Sequence, residues 1–330
     1  MPATDSPSDA PVVGIDLGGT NMAVAVVDPR GKVLGRSKRK TRAAEGRDVV
    51  IDRMCEAIER ACTEAGVERR DLGGVGIGAP SAIDIDKGLV LSSGNLGWKN
   101  VPLRDIMEER LRLPVRLDND VNMAAWGEAT LGACAGRGDM LAVWVGTGIG
   151  GGLILNGRLW RGPCFTAGEI GQTTLFPNCS PGHQTLEEHC SRVGMVRSIE
   201  TLIGFYPQSM LKKSLTRTAE EGPLGSGPIA EAYANGDELA VRVVESAADL
   251  LGVAIANFLT VLSLANVVIG GGVGQALSKP YMERIRRSFE RHVYPASLRK
   301  CDFHLTELGD DAGVLGAAML VRESAVAVER

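Results

Sequence analysis

The chain has 330 residues, too many for one simple core and enough for two domains of ordinary size. With 44% hydrophobic and 23% charged residues and a net charge of −4, it has the balance of a folded globular protein, and nothing in that balance points to a nucleic-acid partner. Seven scattered cysteines, an odd number, argue against a disulfide framework and fit a reducing, cytoplasmic setting.

Residues 1–11 are rich in Pro, Ser, Asp and Ala, with no basic start and no apolar centre, and predict a disordered tail rather than a signal peptide. An apolar run at 12–15, the turn Asp16-Leu-Gly18-Gly19-Thr20-Asn21 and a second apolar run at 22–27 predict a hairpin. Asp28-Pro29-Arg30-Gly31 then turns the chain into a third strand at 32–40. The basic cluster in that strand, Arg36-Ser-Lys38-Arg39-Lys40, reads as a solvated strand end rather than a nucleic-acid patch. Apolar residues at 50, 51, 54, 55, 58, 61 and 62 predict a helix over 47–65 that stops before Gly66, and 74–78 predicts a short buried strand. Pro114-Val-Arg-Leu117 predicts a strand leading into Asp118-Asn119-Asp120-Val121-Asn122 and a helix over 123–131.

The opening pattern recurs roughly 130 residues on, with an apolar run at 140–145, a turn from Gly146 to Gly152, a second run at 153–155 and the turn Asn156-Gly157. Strand, glycine turn, strand, turn, strand thus occurs twice, which predicts two similar α/β domains with a ligand cleft between them. The second half predicts a long helix over 231–264 and an amphipathic basic helix over 281–292. A small-residue-rich helix over 311–321 suits close packing on a sheet, while 204–227 carries no assignable element. The uncharged stretch 250–270 is interrupted by Asn257, Thr260, Ser263 and Asn266 and ends on three glycines. It reads as a buried helix and then a strand at 266–269, with no membrane span.

Three glycine clusters can approach a ligand with their backbone. In Asp16-Leu-Gly18-Gly19-Thr20-Asn21 the glycines let amide groups form an anion-binding concavity, Thr20 and Asn21 add short donors, and Asp16 is placed to hold a metal through water. A plain hairpin turn with an incidental Asp is the alternative. Gly146-Thr147-Gly148-Ile-Gly150-Gly151 matches a dinucleotide fingerprint, but a strand follows where that fingerprint requires a helix, so a dehydrogenase is set aside. Gly270-Gly271-Gly272 lies between a strand and a helix, where an adenosine or a phosphate can be received. No Walker-type Gly-x-x-x-x-Gly-Lys-Ser/Thr occurs. The Asp118–Asn122 cluster offers carboxylates and amides at a strand end, suited to a polyol and to accepting a hydroxyl proton, or else to capping the following helix. Glu169 and Glu187 are further carboxylates that could pair with sugar hydroxyls or simply stand on the surface.

These motifs in this order resemble the ROK family (repressor, open reading frame, kinase), and its glucokinases in particular, from about residue 12 to 320. The resemblance rests on Ile15-Asp16-Leu-Gly18-Gly19-Thr20-Asn21, Gly78-Ala-Pro80, Asn95-Leu-Gly-Trp98, Asn119-Asp120-Val-Asn122, the Gly146–Gly152 loop, Gly168-Glu169-Ile-Gly171 and Gly270–Gly272. It implies an α/β two-domain actin/hexokinase-like (ribonuclease H-like) fold, with 12–121 plus 314–330 as a small domain and 122–313 as a large one. The implied activity is transfer of the ATP γ-phosphoryl to the 6-hydroxyl of a hexose, glucose first. Asp120 is the implied general base, and Asn95, Asn119, Asp120, Glu169 and Glu187 the implied sugar ligands. Gly18, Gly19, Thr20, Thr147 and Gly148 are implied at the phosphates, with Asn21 beside them, Gly271 and Gly272 at the adenosine, and Asp16 organising Mg2+. The expected partners are the hexose and ATP, with neither nucleic acid nor membrane, and the expected assembly is a homodimer or higher homo-oligomer.

One departure is large. The family follows Gly-Glu-Ile-Gly with a His and then three Cys before the Leu-Glu matched here by Leu186-Glu187. Gln172, Asn178, Ser180 and Thr185 occupy those four positions, so no zinc site is expected. Gln172 could still hydrogen-bond the sugar where the family's His would stand. The competing readings are a sugar-responsive regulator, for which only about eleven residues precede the first strand to hold a helix-turn-helix, a catalytically dead sensor, and a kinase of N-acetylmannosamine, fructose or allose.

Overall fold

A computed structural model describes residues 9–221 and 223–328. Of the tail expected over 1–11, residues 1–8 lie outside the described residues, as do 329–330 of the expected small domain. The chain divides into two compact units. The first runs to Gly136, takes in Gly152–Ala167 and resumes at Asp310; the second is Arg137–Gly151 with Gly168–Gly309.

The elements of the first stretch are β1 (Val12–Leu17), β2 (Asn21–Val27), β3 (Val33–Lys40), α1 (Arg47–Ala65), β4 (Val75–Ala79), β5 (Ala82–Asp84), β6 (Leu89–Ser93), β7 (Trp98–Val101), α2 (Leu103–Leu111), β8 (Val115–Asn119) and α3 (Asp120–Thr130). There follow β9 (Met140–Val145), β10 (Ile149–Leu155), β11 (Arg158–Trp160), α4 (Leu186–Cys190), α5 (Arg192–Leu202), α6 (Leu211–Glu221), α7 (Ser226–Ala234) and α8 (Glu238–Leu262). The chain closes with β12 (Asn266–Gly270), α9 (Gly271–His292), β13 (Asp302–Leu305) and α10 (Ala312–Val328).

Two five-stranded sheets share one plan. Their orders are β3-β2-β1-β4-β8 and β11-β10-β9-β12-β13, and a small sheet β5-β6-β7 stands apart. In the first sheet β1 pairs antiparallel with β2, β2 antiparallel with β3, and β1–β4 and β4–β8 are parallel. In the second, β10–β11 is antiparallel and β12 is parallel to both β9 and β13. The repeated strand–turn–strand text in the sequence is therefore a repeated sheet.

The core of the first unit joins β1, β2 and β4 to α1 and α2 through aliphatic side chains such as Val13, Ile15, Ile51, Met54, Ile77 and Leu103. The helix α10 closes the same unit at backbone contact. A Cβ on Gly14 would lie 1.8 Å from the Val314 carbonyl oxygen, one on Gly76 1.8 Å from that of Ala317, and one on Gly316 1.7 Å from that of Met123. A side chain at any of the three would overlap main chain, so the excess of glycine is partly a packing requirement.

Three elements differ from the periodicity. The apolar run over 231–264 is broken at Asn235-Gly236, where Gly236 takes φ 73°, and Asp237 starts α8 by accepting the Ala240 amide. A stop residue and a cap outweigh continuous hydrophobicity. The unassigned 204–227 contains α6, and α9 is interrupted at Ser278 (φ 53°), two residues before Pro280. No described helix is long and apolar enough to cross a membrane, and all seven cysteines are free thiols.

Candidate active site

In the first unit the hairpin between β1 and β2 is tied at its tip, since the Gly18 amide donates to the Asn21 carbonyl. The buried Thr41 staples it from the side, its hydroxyl donating to the Gly18 carbonyl and its amide to that of Thr20. Thr20 and Asn21 remain exposed. Asn95 approaches the tip from a four-residue turn between β6 and β7, anchored by the buried Leu96 and Trp98, and a Cβ on Gly19 would lie 2.8 Å from the Asn95 Cβ. Asp16 is the penultimate residue of β1, paired with Gly78 of β4, and its carboxyl faces Gly313 at the start of α10. Burial, with the charges of Asp120 and Asp310, pushes the Asp16 carboxyl up to about 7 against a weaker opposing pull from Lys38.

The β8–α3 junction resolves the capping question. Asn119 is the N-cap, its Oδ1 accepting the Val121 and Asn122 amides at 2.9 and 3.1 Å. Its Nδ2 donates to the carbonyl of Ser81, a residue held at φ 86° directly after Gly78-Ala79-Pro80. Asp120 is the first helical residue and accepts the Val121 amide through Oδ1. Asp118 turns the other way. It is buried, accepting the Asn119 amide and Asn122 Nδ2 through Oδ1 and Arg161 Nε through Oδ2. Asp16, Asn95, Asp120 and the Gly18–Asn21 hairpin thus gather in one unit.

In the second unit the turn between β9 and β10 closes with the Gly146 amide donating to the Gly148 carbonyl. The start of α5 meets this turn, the Arg192 and Val193 amides donating to the carbonyls of Gly146 and Thr147. Glu187 lies against its other side, Oε2 accepting the Ile149 amide at 2.7 Å, and a Cβ on Gly148 would come within 2.3 Å of that oxygen. Gln172 donates to Glu187 Oε1 at 3.2 Å, so the residue standing where the family carries His is tied to a neighbouring carboxylate. Glu169 is exposed by surface area, yet partial desolvation of its carboxyl, with the Glu187 charge, raises it. Gly271 (φ 80°) and Gly272 open α9 directly after β12, where a Cβ on Gly271 would lie 2.5 Å from the Val145 carbonyl oxygen.

The segment between Gln172 and Glu187 is held by hydrogen bonds. Leu175 and Phe176 amides donate to the Gln184 carbonyl, and Gln184 Nε2 donates to the carbonyl of Cys179. Thr185 and Glu188 form a capping box on α4, and the amides of Thr185 and Gln184 hold the Glu188 carboxyl below its ordinary range. The Phe176 and His189 rings meet edge-on at 4.9 Å. Among the described residues no three His, Cys, Asp or Glu side chains are grouped to hold a metal unaided.

Arg192 escaped the sequence reading. Its guanidinium donates to the Thr147 hydroxyl at 2.9 Å and to the Leu224 carbonyl at 2.9 Å, which sets a fixed cation beside the turn. Its nearest hint in the sequence was Ser191, whose side chain caps α5.

Two sheets of one strand order, each opening on a glycine-turned hairpin, define an α/β fold of the actin/hexokinase-like class. The chain belongs to the ROK family, whose model matches residues 12–324. It is 34% identical to a glucokinase of Halalkalibacterium halodurans over 331 aligned positions, 98% of each chain. It is 31% identical to a glucokinase of Thermotoga maritima over 320 positions, covering 94% of this chain and 97% of that one. A ROK family glucokinase from Streptomyces griseus, solved in complex with glucose and AMPPNP, matches with a TM-score of 0.80 and 31% identity over 95% of this chain and 99% of that one.

Proposed function

We propose that the chain transfers the γ-phosphoryl group of ATP to the 6-hydroxyl of a hexose, glucose before others, with Asp120 as the base. The observation that carries this reading is the division of labour at β8–α3. Asn119 caps the helix, so the carboxylate beside it is not needed for that purpose. Its charge acts on Asp16 of β1, two strands away in the same sheet. Phosphoryl transfer asks little covalent chemistry of a protein beyond positioning, charge neutralisation and one carboxylate to take the hydroxyl proton.

The hexose is assigned to Asn95, Asn119, Asp120, Glu169 and Glu187, groups that match the donor and acceptor faces of sugar hydroxyls. Gln172 orients Glu187 and competes for its Oε1. Gly18, Gly19, Thr20 and Asn21 in one hairpin and Thr147 and Gly148 in the other are assigned to phosphates, with Gly271 and Gly272 at the adenosine. Arg192 joins this set, because a guanidinium fixed on the Thr147 hydroxyl supplies the positive charge that the second hairpin otherwise lacks.

Mg2+ fits Asp16. A carboxyl driven up by burial and two like charges would gain a stable anionic form when a cation arrives, and Mg2+ is commonly bound through one or two carboxylates and substrate phosphates while keeping several waters. When bound, the ion neutralises phosphate charge. Asp16 would hold it through water, and Asp120 would take the proton from the hydroxyl.

The test is a coupled assay of the purified protein with ATP and Mg2+ across glucose, N-acetylmannosamine, fructose and allose. Glucose is expected to give the highest kcat/KM; no sugar-dependent ATP turnover with any of them overturns the reading.

A further inference from the structure

Within the first unit, a cavity of about 960 Å3 runs alongside β8 and α3 and touches none of the residues assigned above to sugar, phosphate or metal. Its wall carries five arginines, Arg104, Arg116, Arg158, Arg161 and Arg322, against Asp86, Asp118 and Glu323. That is a local excess of positive charge on a chain whose net charge is −4. Three of the five have partners. Arg104 donates to the carbonyls of Ile85 and Asp86, Arg322 to those of Ala10 and Val27, and Arg161 pairs with Asp118. Arg116 and Arg158 are exposed, and their guanidinium groups make no hydrogen bond or ion pair among the described residues. Arg161 spends Nε on Asp118 and Nη1 on the Leu159 carbonyl, leaving Nη2 without a partner among the described residues.

We propose that this cavity binds a small phosphate-bearing anion, held by Arg116 and Arg158 with Arg161 as the third guanidinium, and that its occupancy draws Arg161 away from Asp118. Guanidinium forks match phosphate oxygens two at a time, and a phosphomonoester carries about −1.5 to −2 charges at neutral pH. The volume falls within the usual range of small-molecule sites, about 300–1,000 Å3.

The pair it competes with is part-buried, with the carboxylate as its buried member. The Asp118 side chain is 3% exposed and that of Arg161 21%, and Asp118 Oδ1 holds the Asn119 amide and Asn122 Nδ2. Withdrawing Arg161 leaves a buried carboxylate uncompensated one residue from the cap and two from Asp120, so the junction that sets the base relaxes. Occupancy therefore lowers turnover without competing for the hexose or the nucleotide. This coupling rests on the kinase reading; the binding does not.

The test is titration of the glucose-saturated protein with inorganic phosphate and, separately, with glucose 6-phosphate. Indole fluorescence is followed, and Trp126→Phe assigns the signal to the cavity, which Trp126 lines. Saturable binding is expected in the wild type, weakened at least about tenfold in Arg116→Ala/Arg158→Ala and in Arg158→Glu. In steady-state assays glucose 6-phosphate is expected to lower the wild-type kcat with the KM for glucose unchanged. The double variant should escape this effect and keep wild-type kinetics when no anion is added. Equal binding in the wild type and both variants overturns the site, and binding with no effect on kcat overturns the coupling. A protein that phosphorylates no sugar yet binds phosphate through these arginines keeps the site and removes the kinase reading. Phosphate binding as tight as that of the sugar phosphate identifies the free ion as the occupant; preference for the ester identifies the sugar phosphate.

Discussion

Replacing Asp120 by Asn keeps the size of the side chain but removes its ability to accept the hydroxyl proton. Turnover is expected to fall about 10²–10⁴-fold while glucose affinity, measured by calorimetry, changes little; near-normal turnover would return Asp120 to a structural part. Asp16 gives a pH signature. Its folded carboxyl sits at about 7 against an ordinary value of 3.8, so the metal-free protein takes up a proton on folding. That contribution is intact below the ordinary carboxylate range and is lost as pH rises toward and through about 7. Thermal unfolding without Mg2+ should therefore show falling stability across that window, and Asp16→Asn should flatten the slope. Unchanged slopes in the two proteins would show that Asp16 is already ionised. Arg192→Ala is expected to raise the KM for ATP well above any change in the KM for glucose; equal effects on both would point to a disturbed α5. Asp16, Asp120 and the hairpin glycines were legible in the sequence because a turn and a strand end constrain residue type locally. Arg192 was not, because its contact with Thr147 spans 45 residues and leaves no local pattern.

At the level of elements, Asp237 carries more than a helix cap. It accepts the Ala240 amide at the start of α8 and also the Ser209 hydroxyl and Met210 amide ahead of α6. Burial works against its charge, yet the amides of Ala240 and Met210 and the Ser209 hydroxyl hold its carboxyl below the ordinary range. Asp237→Ala is expected to cost about 1–2 kcal/mol in urea unfolding. Because the folded value is depressed, the stabilisation is present above the ordinary carboxylate range and fades as pH falls through the folded value, so wild type and variant should converge in acid. A gap that persists in acid would assign the loss to packing. The break before Asp237 was printed in Asn235-Gly236, but continuous apolar periodicity on both sides masked it. Helix α6 was missed although Leu211, Leu215 and Ala219 recur four apart, since the segment LKKSLTRTAEE is short and otherwise polar.

Across the molecule, the repeated sheet was readable because each copy begins with the same strand–glycine turn–strand text, whereas the cavity beside β8 draws on residues from the β5–β6 turn to α10 and has no signature of its own. The capping box at Thr185, the Gln184 amide and the Phe176–His189 contact hold the segment between Gln172 and Glu187. Activity is therefore expected to survive a zinc-selective chelator with Mg2+ resupplied, and elemental analysis is expected to find no stoichiometric zinc; zinc at one per chain with activity lost on its removal would reveal a site built from other residues. The seating of α10 on Gly14 and Gly76 also bears on synthesis. A ribosome makes β1 and β4 well before α10, so the β1–β4 face waits uncovered while the whole of the second unit emerges. The second unit has no such wait, since its last strand, β13, precedes α10. Nascent chains arrested before Ala312 should accordingly be cut by protease in the first unit and spared in the second, which makes the release of α10 the moment at which the first unit closes.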